Sequence, residues 1–198
     1  MFNSPFQALE WMVQQRLLLL MPNFLSEDQC QSLIGQAMQC PAGVAPVDDY
    51  GSTPSPVALR RTTLLETPTA INQQIIQPLE RIKPQLQRHF DLVLNRHEMP
   101  QFLQYQPGDY FKPHTDLSDA PIYRERRLSL ILCLNDHRQY QGGRLVFYLS
   151  NPDQPGRFLG VPVPPQSGLL IAFRPELLHE VVAVTNGERF TVVTWLAD

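Results

Sequence analysis

Two stretches in the first half of the chain carry apolar residues at helical spacing. The first begins at Ser26 and Gln29, which form a capping-box pattern: the serine caps the first turn and the glutamine reaches back to it. The apolar residues that follow at helical spacing are Cys30, Leu33, Ile34, Ala37 and Met38. This pattern predicts a helix over about residues 27 to 39.

The second stretch keeps one apolar stripe over several turns. Its apolar positions are Ile71, Ile75, Leu79, Ile82, Leu86 and Phe90. Pro78 and Pro84 lie within it, and each proline removes a backbone donor and clashes with the preceding turn. We therefore expect a kinked helix or two helical pieces. Between the two stretches, residues 41 to 58 are rich in Pro, Gly, Ser and Asp and predict a loop.

From about residue 100 the pattern changes to short β-branched and aromatic runs separated by turn residues. The runs cover residues 102–105, 127–134, 144–149, 169–173, 180–184 and 190–196. Such spacing is typical of an antiparallel sandwich or barrel. We expect a single domain in which residues 1–97 form a helical and loop support region and residues 98–198 form an all-β core.

Composition narrows the class of protein. A chain of 198 residues suits one domain, and a net charge of -3 offers no basic surface, so we expect no nucleic acid partner. The apolar run LLLLM is far shorter than the roughly 20 residues that span a bilayer, so we expect no membrane association. Cys30, Cys40 and Cys133 are odd in number and form no CxxC pair, which favours a reducing cytoplasm.

His114 and Asp116 form a candidate metal-ligand pair. They follow the β-like residues 110–113, and in a strand residues two apart leave the same face. The same spacing occurs at His89 and Asp91, but those residues end the second helical stretch, where side chains two apart point in different directions. The pair at 114 and 116 is therefore the better candidate.

A metal needs a third ligand, and the remaining histidines compete for that role. His97 and His137 lie in polar, turn-like surroundings that favour solvated side chains. His179 precedes the apolar run 180–184, which can lie beside the strand that carries His114. Two imidazoles and one carboxylate on one face of an ion are typical of non-haem Fe(II) oxygenases, although zinc accepts the same ligands.

Arg189 lies ten residues after His179, at the start of a run that alternates. Alternation sends Arg189, Thr191, Val193 and Trp195 to one face. A buried, unpaired arginine is costly, but its planar fork suits a carboxylate, with the Thr191 hydroxyl as a second donor. A small dicarboxylate cosubstrate would satisfy this arginine.

Several spaced motifs, taken together, resemble one known family. They are HTD at 114–116, His179, Arg189 with Thr191 and Trp195, the Tyr105-x-Pro-Gly run, RRLSLILCLN at 126–135 and GGRLVFY at 142–148. This set resembles the Fe(II)- and 2-oxoglutarate-dependent dioxygenases, specifically the prolyl 4-hydroxylase-like branch. The resemblance is strong over about residues 100 to 197 and looser for the LSEDQCQSLI helix.

The resemblance implies a mainly β protein with N-terminal helices (α+β), whose core is a double-stranded β-helix, or jelly roll, backed by those helices. It implies that His114, Asp116 and His179 bind Fe(II) and that Arg189 grips the distal carboxylate of 2-oxoglutarate. Tyr105 donates to the same cosubstrate or is a structural aromatic. Many animal prolyl hydroxylases have lysine at the position of Arg189, so their substrates are not carried over.

The activity implied is hydroxylation of an unactivated carbon with release of succinate and CO2, with ascorbate as a candidate reductant. Its substrate is a prolyl residue in a peptide or protein, or else a free amino acid or small metabolite. The alternative from another class is a cupin-type metal-binding module without turnover. The oligomeric state stays open.

Two further features have competing interpretations. Arg124, Arg126 and Arg127 form either a solvated loop or a basic cluster that meets an acidic substrate. The loop around Tyr50 within residues 41 to 58 is either a lid over the active site or a disordered segment.

Overall fold

The computed structural model describes residues 4–45, 59–117, 121–150 and 156–198. Its helices are α1 (Pro5–Gln14), α2 (Glu27–Ala37), α3 (Thr69–Phe90) and α4 (Pro121–Arg124). The strands of the first half are β1 (Leu18–Met21), β2 (Ala42–Val44), β3 (Arg60–Arg61), β4 (Thr63–Leu65), β5 (Arg96–His97), β6 (Gln101–Tyr105) and β7 (Tyr110–His114). The later strands are β8 (Arg126–Cys133), β9 (Tyr140–Gly142), β10 (Leu145–Ser150), β11 (Phe158–Val163), β12 (Leu170–Phe173), β13 (His179–Val181), β14 (Val184–Gly187) and β15 (Arg189–Ala197).

Within the described residues the strands form two facing antiparallel sheets. The larger sheet has the order β1-β12-β8-β15-β6-β4-β2 with β5 beside β15, and the smaller has the order β11-β10-β13-β7-β3. The pair β9 and β14 joins outside both sheets. Apolar side chains from both sheets, together with those of α1, fill the space between them. This arrangement confirms the predicted jelly-roll core.

Strand β15 shows how alternation separates the two sides of the larger sheet. Phe190, Val192 and Leu196 pack against α2 and α3, in a second apolar cluster outside the barrel. The intervening side chains, which include Arg189 and Thr191, face the interior between the sheets. Helices α2 and α3 therefore back the larger sheet, as predicted for the N-terminal helices, and leave its inner face to the site.

Helix α2 has the predicted capping box. The backbone N–H of Gln29 donates to Ser26 Oγ at 3.2 Å, and the backbone N–H of Ser26 donates to Gln29 Oε1 at 2.9 Å. The helix runs over Glu27–Ala37, two residues shorter than the predicted end.

Helix α3 is continuous from Thr69 to Phe90, so of the two predicted alternatives the division into two helical pieces is wrong. Pro78 and Pro84 leave the carbonyls of Gln74 and Glu80 without a helical hydrogen bond. Both residues are exposed, so water can bond to these carbonyls. The apolar stripe, packed on the larger sheet, stabilises the helix through both prolines.

The predicted loop at 41 to 58 begins with a strand. Residues Ala42–Val44 pair with Thr63–Leu65 at the edge of the larger sheet, so the loop prediction is wrong for these three residues. Residues 46–58, including the lid candidate Tyr50, lie outside the described residues. Among the helices in the described part of the chain, none is both long enough and apolar enough to cross a bilayer.

Candidate active site

The pairing of β7 with β13 brings two histidines together. His114 ends β7, His179 begins β13, and the two are direct cross-strand partners. Their ring centroids lie 4.2 Å apart. The two histidines are 65 positions apart in the sequence, and the register of β7 against β13 in the smaller sheet places them side by side.

Asp116 lies in the bend after β7. Its backbone N–H donates to the carbonyl of Pro175 at 2.9 Å. One carboxylate oxygen lies 3.7 Å from His114 Nε2, and the other lies 3.9 Å from His179 Nε2. Within the described residues, these three side chains are the group of potential metal ligands that converges, with all donor atoms within 4.8 Å of one another.

The backbone orients both imidazoles. His114 Nδ1 lies 2.8 Å from the carbonyl of Lys112, and His179 Nδ1 lies 2.9 Å from the carbonyl of Leu177. Because a carbonyl only accepts, each Nδ1 carries the proton and each Nε2 keeps its lone pair for the centre. Donors that lie about 2.0–2.2 Å from one divalent ion are at most about 4.4 Å apart. The separations of 3.7 and 3.9 Å between the carboxylate and the two imidazoles fall within that limit, so this donor set fits a metal.

The electrostatics favour the protonation states that a metal requires. Burial, followed by the nearby His179, lowers the pKa of His114 to about 3. Burial acts to raise the pKa of Asp116, but the neighbouring histidines, Ser129 and Trp195 outweigh it and lower that pKa. The site therefore holds a neutral His114 and an anionic Asp116 near neutral pH.

Arg189 lies deep between the sheets, directly opposite Tyr105 across the β15–β6 pair. It is 2% exposed, its guanidinium lies 5.0 Å from the centre of the Tyr105 ring, and Nη1 donates to Thr191 Oγ1 at 3.3 Å. Burial acts to lower the pKa of Arg189, but Tyr140, Tyr105 and Cys133 together raise it. Among the described residues no carboxylate pairs with this guanidinium.

Two residues beside Arg189 are not evident from the sequence. Tyr140, in β9, interacts with Arg189 through its hydroxyl, and burial raises the pKa of this phenol. Gly143 has φ of +57°, and a Cβ there would lie 3.0 Å from Arg189 Cδ and 3.1 Å from the Tyr140 ring. Glycine at 143 therefore gives the arginine its room. The Gly142-Gly143 turn is the sequence signal that could have pointed to this close approach.

One cavity that opens to solvent joins the two groups. Its lining includes every predicted site residue, namely His114, Asp116, His179, Arg189, Thr191 and Tyr105. His114 and Asp116 have side chains that are each 12% exposed, whereas Arg189 and Thr191 are each 2% exposed. His114 and Asp116 therefore lie nearer the solvent, whereas His179, at 3% exposed, is buried like the arginine at the inner end.

The other candidate histidines lie elsewhere. His89 Nε2 lies 3.2 Å from the carbonyl of Leu18, and Asp91 adopts a left-handed cap after α3, so this pair does not chelate. His97 is half-buried in β5 near Glu80, and not solvated in a turn as predicted. His137 is exposed.

The three arginines that follow the Asp116 bend do not form one cluster. Arg126 is 8% exposed and paired with Glu98, so neither the solvated nor the substrate-facing interpretation holds for it. Arg127 is exposed, because neighbouring residues of a strand point to opposite faces. Arg124 is exposed in α4.

Comparison with known proteins agrees with this geometry. Residues 100–197 match the family described as the 2OG-Fe(II) oxygenase superfamily. The chain belongs to that superfamily and is an oxygenase.

Relatives and solved structures extend the similarity over nearly the whole chain. The chain is 23% identical over 225 aligned positions to the probable prolyl 4-hydroxylase 9 of Arabidopsis thaliana, covering 99% of this chain and 73% of that protein. A crystal structure of a Pseudomonas putida prolyl-4-hydroxylase superposes with a TM-score of 0.70 and 20% identity, over 96% of this chain and 97% of that one. A prolyl hydroxylase from Trichoplax adhaerens, in complex with a hypoxia inducible factor peptide fragment, gives a TM-score of 0.69 at 14% identity, over 99% and 94%. The two structures establish the shared fold.

Proposed function

We propose that this enzyme uses Fe(II) and 2-oxoglutarate to hydroxylate an unactivated carbon, with His114, Asp116 and His179 as the iron ligands and Arg189 as the carboxylate clamp. The observation that carries the proposal is the buried Arg189, which has no carboxylate partner among the described residues and faces the same cavity as the ligand group. A buried guanidinium of this kind is costly unless an acidic ligand joins it.

The metal end would hold Fe(II) on one face. His114 and His179 present Nε2, and Asp116 presents its carboxylate, which leaves the opposite face of the ion open to a cosubstrate. Because Asp116 supplies a carboxylate, no ligand position is left for a halide, so hydroxylation is favoured over halogenation.

The inner end would hold the distal carboxylate of 2-oxoglutarate. Arg189 can meet it with two parallel N–H donors, and Thr191 adds a hydroxyl donor. The Tyr105 ring supports the guanidinium from the neighbouring strand, and we propose that its phenol also donates to the cosubstrate. Apolar neighbours of the cavity, such as Leu103 and Val193, keep water from competing for these bonds.

When bound, the iron supplies the dioxygen chemistry, in which 2-oxoglutarate is oxidatively decarboxylated to succinate and CO2 while the substrate is hydroxylated. The chain contributes binding, orientation and a shielded cavity. We propose ascorbate as the reductant that keeps the iron ferrous.

We propose a prolyl residue in a peptide or protein as the substrate. The names of the relatives support this choice, since they are prolyl hydroxylases and one was captured with a peptide. The partial exposure of His114 and Asp116 also suits a reacting residue that belongs to a longer chain. A free amino acid or small metabolite is the second candidate, because the cavity that reaches the ligand group also fits a small molecule.

A cupin-type metal-binding module without turnover is the competing class. An inert metal site has no use for the buried Arg189 and Thr191 at the far end of the cavity, which disfavours it. We also propose that the enzyme acts in a reducing cytoplasm, in keeping with the free Cys30, Cys40 and Cys133, and that the chain forms one domain.

The test combines spectroscopy with product analysis. Anaerobic addition of Fe(II) and 2-oxoglutarate should give a visible charge-transfer band that is absent in His179→Ala. Succinate should then form on admission of oxygen, faster with proline-containing peptides than with free proline or other amino acids. A band that never forms, together with no succinate, would favour the binding module, and succinate stimulated only by free amino acids would select the second substrate class.

A further inference from the structure

Arg126 joins four parts of the molecule beside the metal end. Its Nε and Nη2 donate to the two carboxylate oxygens of Glu98 at 2.6 and 2.7 Å, and its Nη1 donates to the backbone carbonyl of Asp116 at 3.1 Å. Its guanidinium carbon lies 3.7 Å from the ring centre of Trp195 and 4.2 Å from that of Tyr123. A bidentate ion pair of this kind fixes the plane of the guanidinium.

Glu98 is itself fixed to the larger sheet. Its backbone N–H donates to the carbonyl of Trp195 at 2.8 Å, and its carbonyl accepts from Thr194 Oγ1 at 2.6 Å. Both bonds lead to β15, the strand that also carries Arg189. Glu98 therefore presents its carboxylate to Arg126 from a rigid support.

Asp116 lies in a bend directly after β7. Thr115 and Leu117, on either side of it, are exposed. The peptide groups of Asp116 are held by the Pro175 carbonyl at the N–H and by Arg126 at the carbonyl. Loss of either bond would free the segment that places a metal ligand.

Trp195 provides a second connection between Arg126 and Asp116. Its Nε1 is buried and, in the described part of the chain, has no hydrogen bond within ordinary limits. Trp195 and Asp116 both line the same cavity. Arg126 stacks on this ring and so restrains the position of the indole.

We propose that Arg126, held by Glu98, is a positioning residue that keeps the Asp116 carboxylate directed at the metal. This inference rests on the proposed function, because it assigns Asp116 as a ligand. Arg126 does not lie among the residues that line the cavity, so it acts through the carbonyl of Asp116 and through Trp195.

The experiment measures Mn(II) affinity without any turnover, by following the free Mn(II) signal in electron paramagnetic resonance. Arg126→Gln should weaken Mn(II) binding by about 10- to 100-fold, the range seen when a partner that orients a ligand is lost. Arg126→Lys keeps the charge but not the planar fork, so its loss should be smaller. Glu98→Gln should change affinity in the same direction, and the double variant Glu98→Gln/Arg126→Gln should be no worse than Arg126→Gln. The exposed Arg127→Gln is the matched control and should bind as the parent does.

The outcomes separate this inference from the proposed function. Variants that stay folded by circular dichroism and bind Mn(II) within about threefold of the parent would overturn the positioning role. This holds also if the KM for the substrate that is hydroxylated rises while Mn(II) affinity does not change. If Arg126→Gln does not fold, Arg126→Lys decides in the same way. If the parent binds no Mn(II), or binds it no more tightly than His179→Ala does, the proposed metal site is overturned and this inference with it.

Discussion

The two ends of the active-site cavity are built in different ways. At the metal end, the backbone orients the ligands: His114 and His179 are cross-strand partners, and each bonds through Nδ1 to a carbonyl two residues earlier in the chain. The peptide groups of Asp116 are held as well. The two imidazoles are therefore oriented by backbone carbonyls, whereas Asp116 also depends on the side chain of Arg126.

At the inner end, side chains do the orienting. The guanidinium of Arg189 lies over the Tyr105 ring, donates to Thr191 and interacts with the Tyr140 hydroxyl. The side chain also lies next to Gly143, which has no Cβ to block it. These neighbours come from several different strands and a turn. The position of the guanidinium thus depends on the packing of the whole inner end.

This difference predicts that the two ends fail separately. A lost metal ligand should remove metal and activity, whereas a disturbed clamp should weaken the cosubstrate and leave the metal in place.

The largest effect is expected for His179→Ala. Loss of a direct ligand should lower Mn(II) affinity by more than about 100-fold, since partners that only orient ligands already contribute 10- to 100-fold. Succinate formation should fall below detection. The exposed His137→Ala is the control, and a folded His179→Ala that retains parental Mn(II) affinity would contradict the assignment of the metal end.

Arg189→Gln should affect the other end. Truncating one partner of a buried charge pair costs about 2–5 kcal/mol, so the KM for 2-oxoglutarate should rise by about 30-fold or more. Mn(II) affinity should stay within about threefold of the parent. In the exposed control Arg127→Gln, both the Mn(II) affinity and the KM for 2-oxoglutarate should stay within that range. Equal losses of metal and cosubstrate would indicate a folding defect, and the separation of the two ends would then be wrong.

Gly143→Ala should raise the KM for 2-oxoglutarate by less than Arg189→Gln does, and Gly156→Ala is its matched control. The Cβ added in Gly143→Ala would lie 2.9 Å from Val184 Cγ2 and 3.0 Å from Arg189 Cδ, so Val184 must shift and the arginine must move by a few tenths of an ångström. Gly156→Ala has the same kind of left-handed backbone, at φ of +83°, but its Cβ meets no described atom within 4 Å.

Both glycine variants should lose about 1–2 kcal/mol of unfolding free energy, measured in urea. Only Gly143→Ala should raise the KM for 2-oxoglutarate, by about tenfold, because a misplaced binding group weakens catalysis even when it is present. An unchanged KM in Gly143→Ala would show that the clamp tolerates movement.

The smallest effect concerns the stability of the metal-free protein. The pKa of His114 is lowered to about 3 in the folded state by burial and by His179, whereas a histidine in an unfolded chain titrates near about 6.5. Between these values the unfolded state binds a proton that the folded state does not. The free energy of unfolding should therefore fall as pH drops below about 6.5.

Urea unfolding at neutral and acidic pH checks this dependence. His114→Gln should flatten it, and the exposed control His137→Gln should leave the contribution of His114 intact. The same slope in His114→Gln as in the parent would argue against a neutral His114 at the metal end.

Much of the site was predictable because it follows local rules. The alternation of β15 places Arg189 and Thr191 on one face. His114 and Asp116 are two residues apart at the end of β7, so they lie close together although Asp116 is in the bend and not in the strand. The capping box at Ser26 locates the start of α2 for the same reason. Each of these features depends on residues close in sequence.

What was missed depends on distant partners. The short strands β1 to β5 have two to four residues each, too few for a pattern, and exist because a neighbouring strand supplies their hydrogen bonds. The approach of Tyr140 to Arg189 needs the β9–β14 pair. Arg126 is buried because it pairs with Glu98, which is 28 positions away in the sequence. The neighbouring arginines suggested one exposed basic cluster instead.

The most direct test of the account is an anaerobic crystal structure of the protein with Mn(II) and 2-oxoglutarate. We predict the ion bound by Nε2 of His114, Nε2 of His179 and the Asp116 carboxylate, with the distal carboxylate of 2-oxoglutarate about 2.7–2.9 Å from the guanidinium nitrogens of Arg189. An ion bound away from these three side chains, or a cosubstrate whose distal carboxylate leaves Arg189 without a partner, would contradict it.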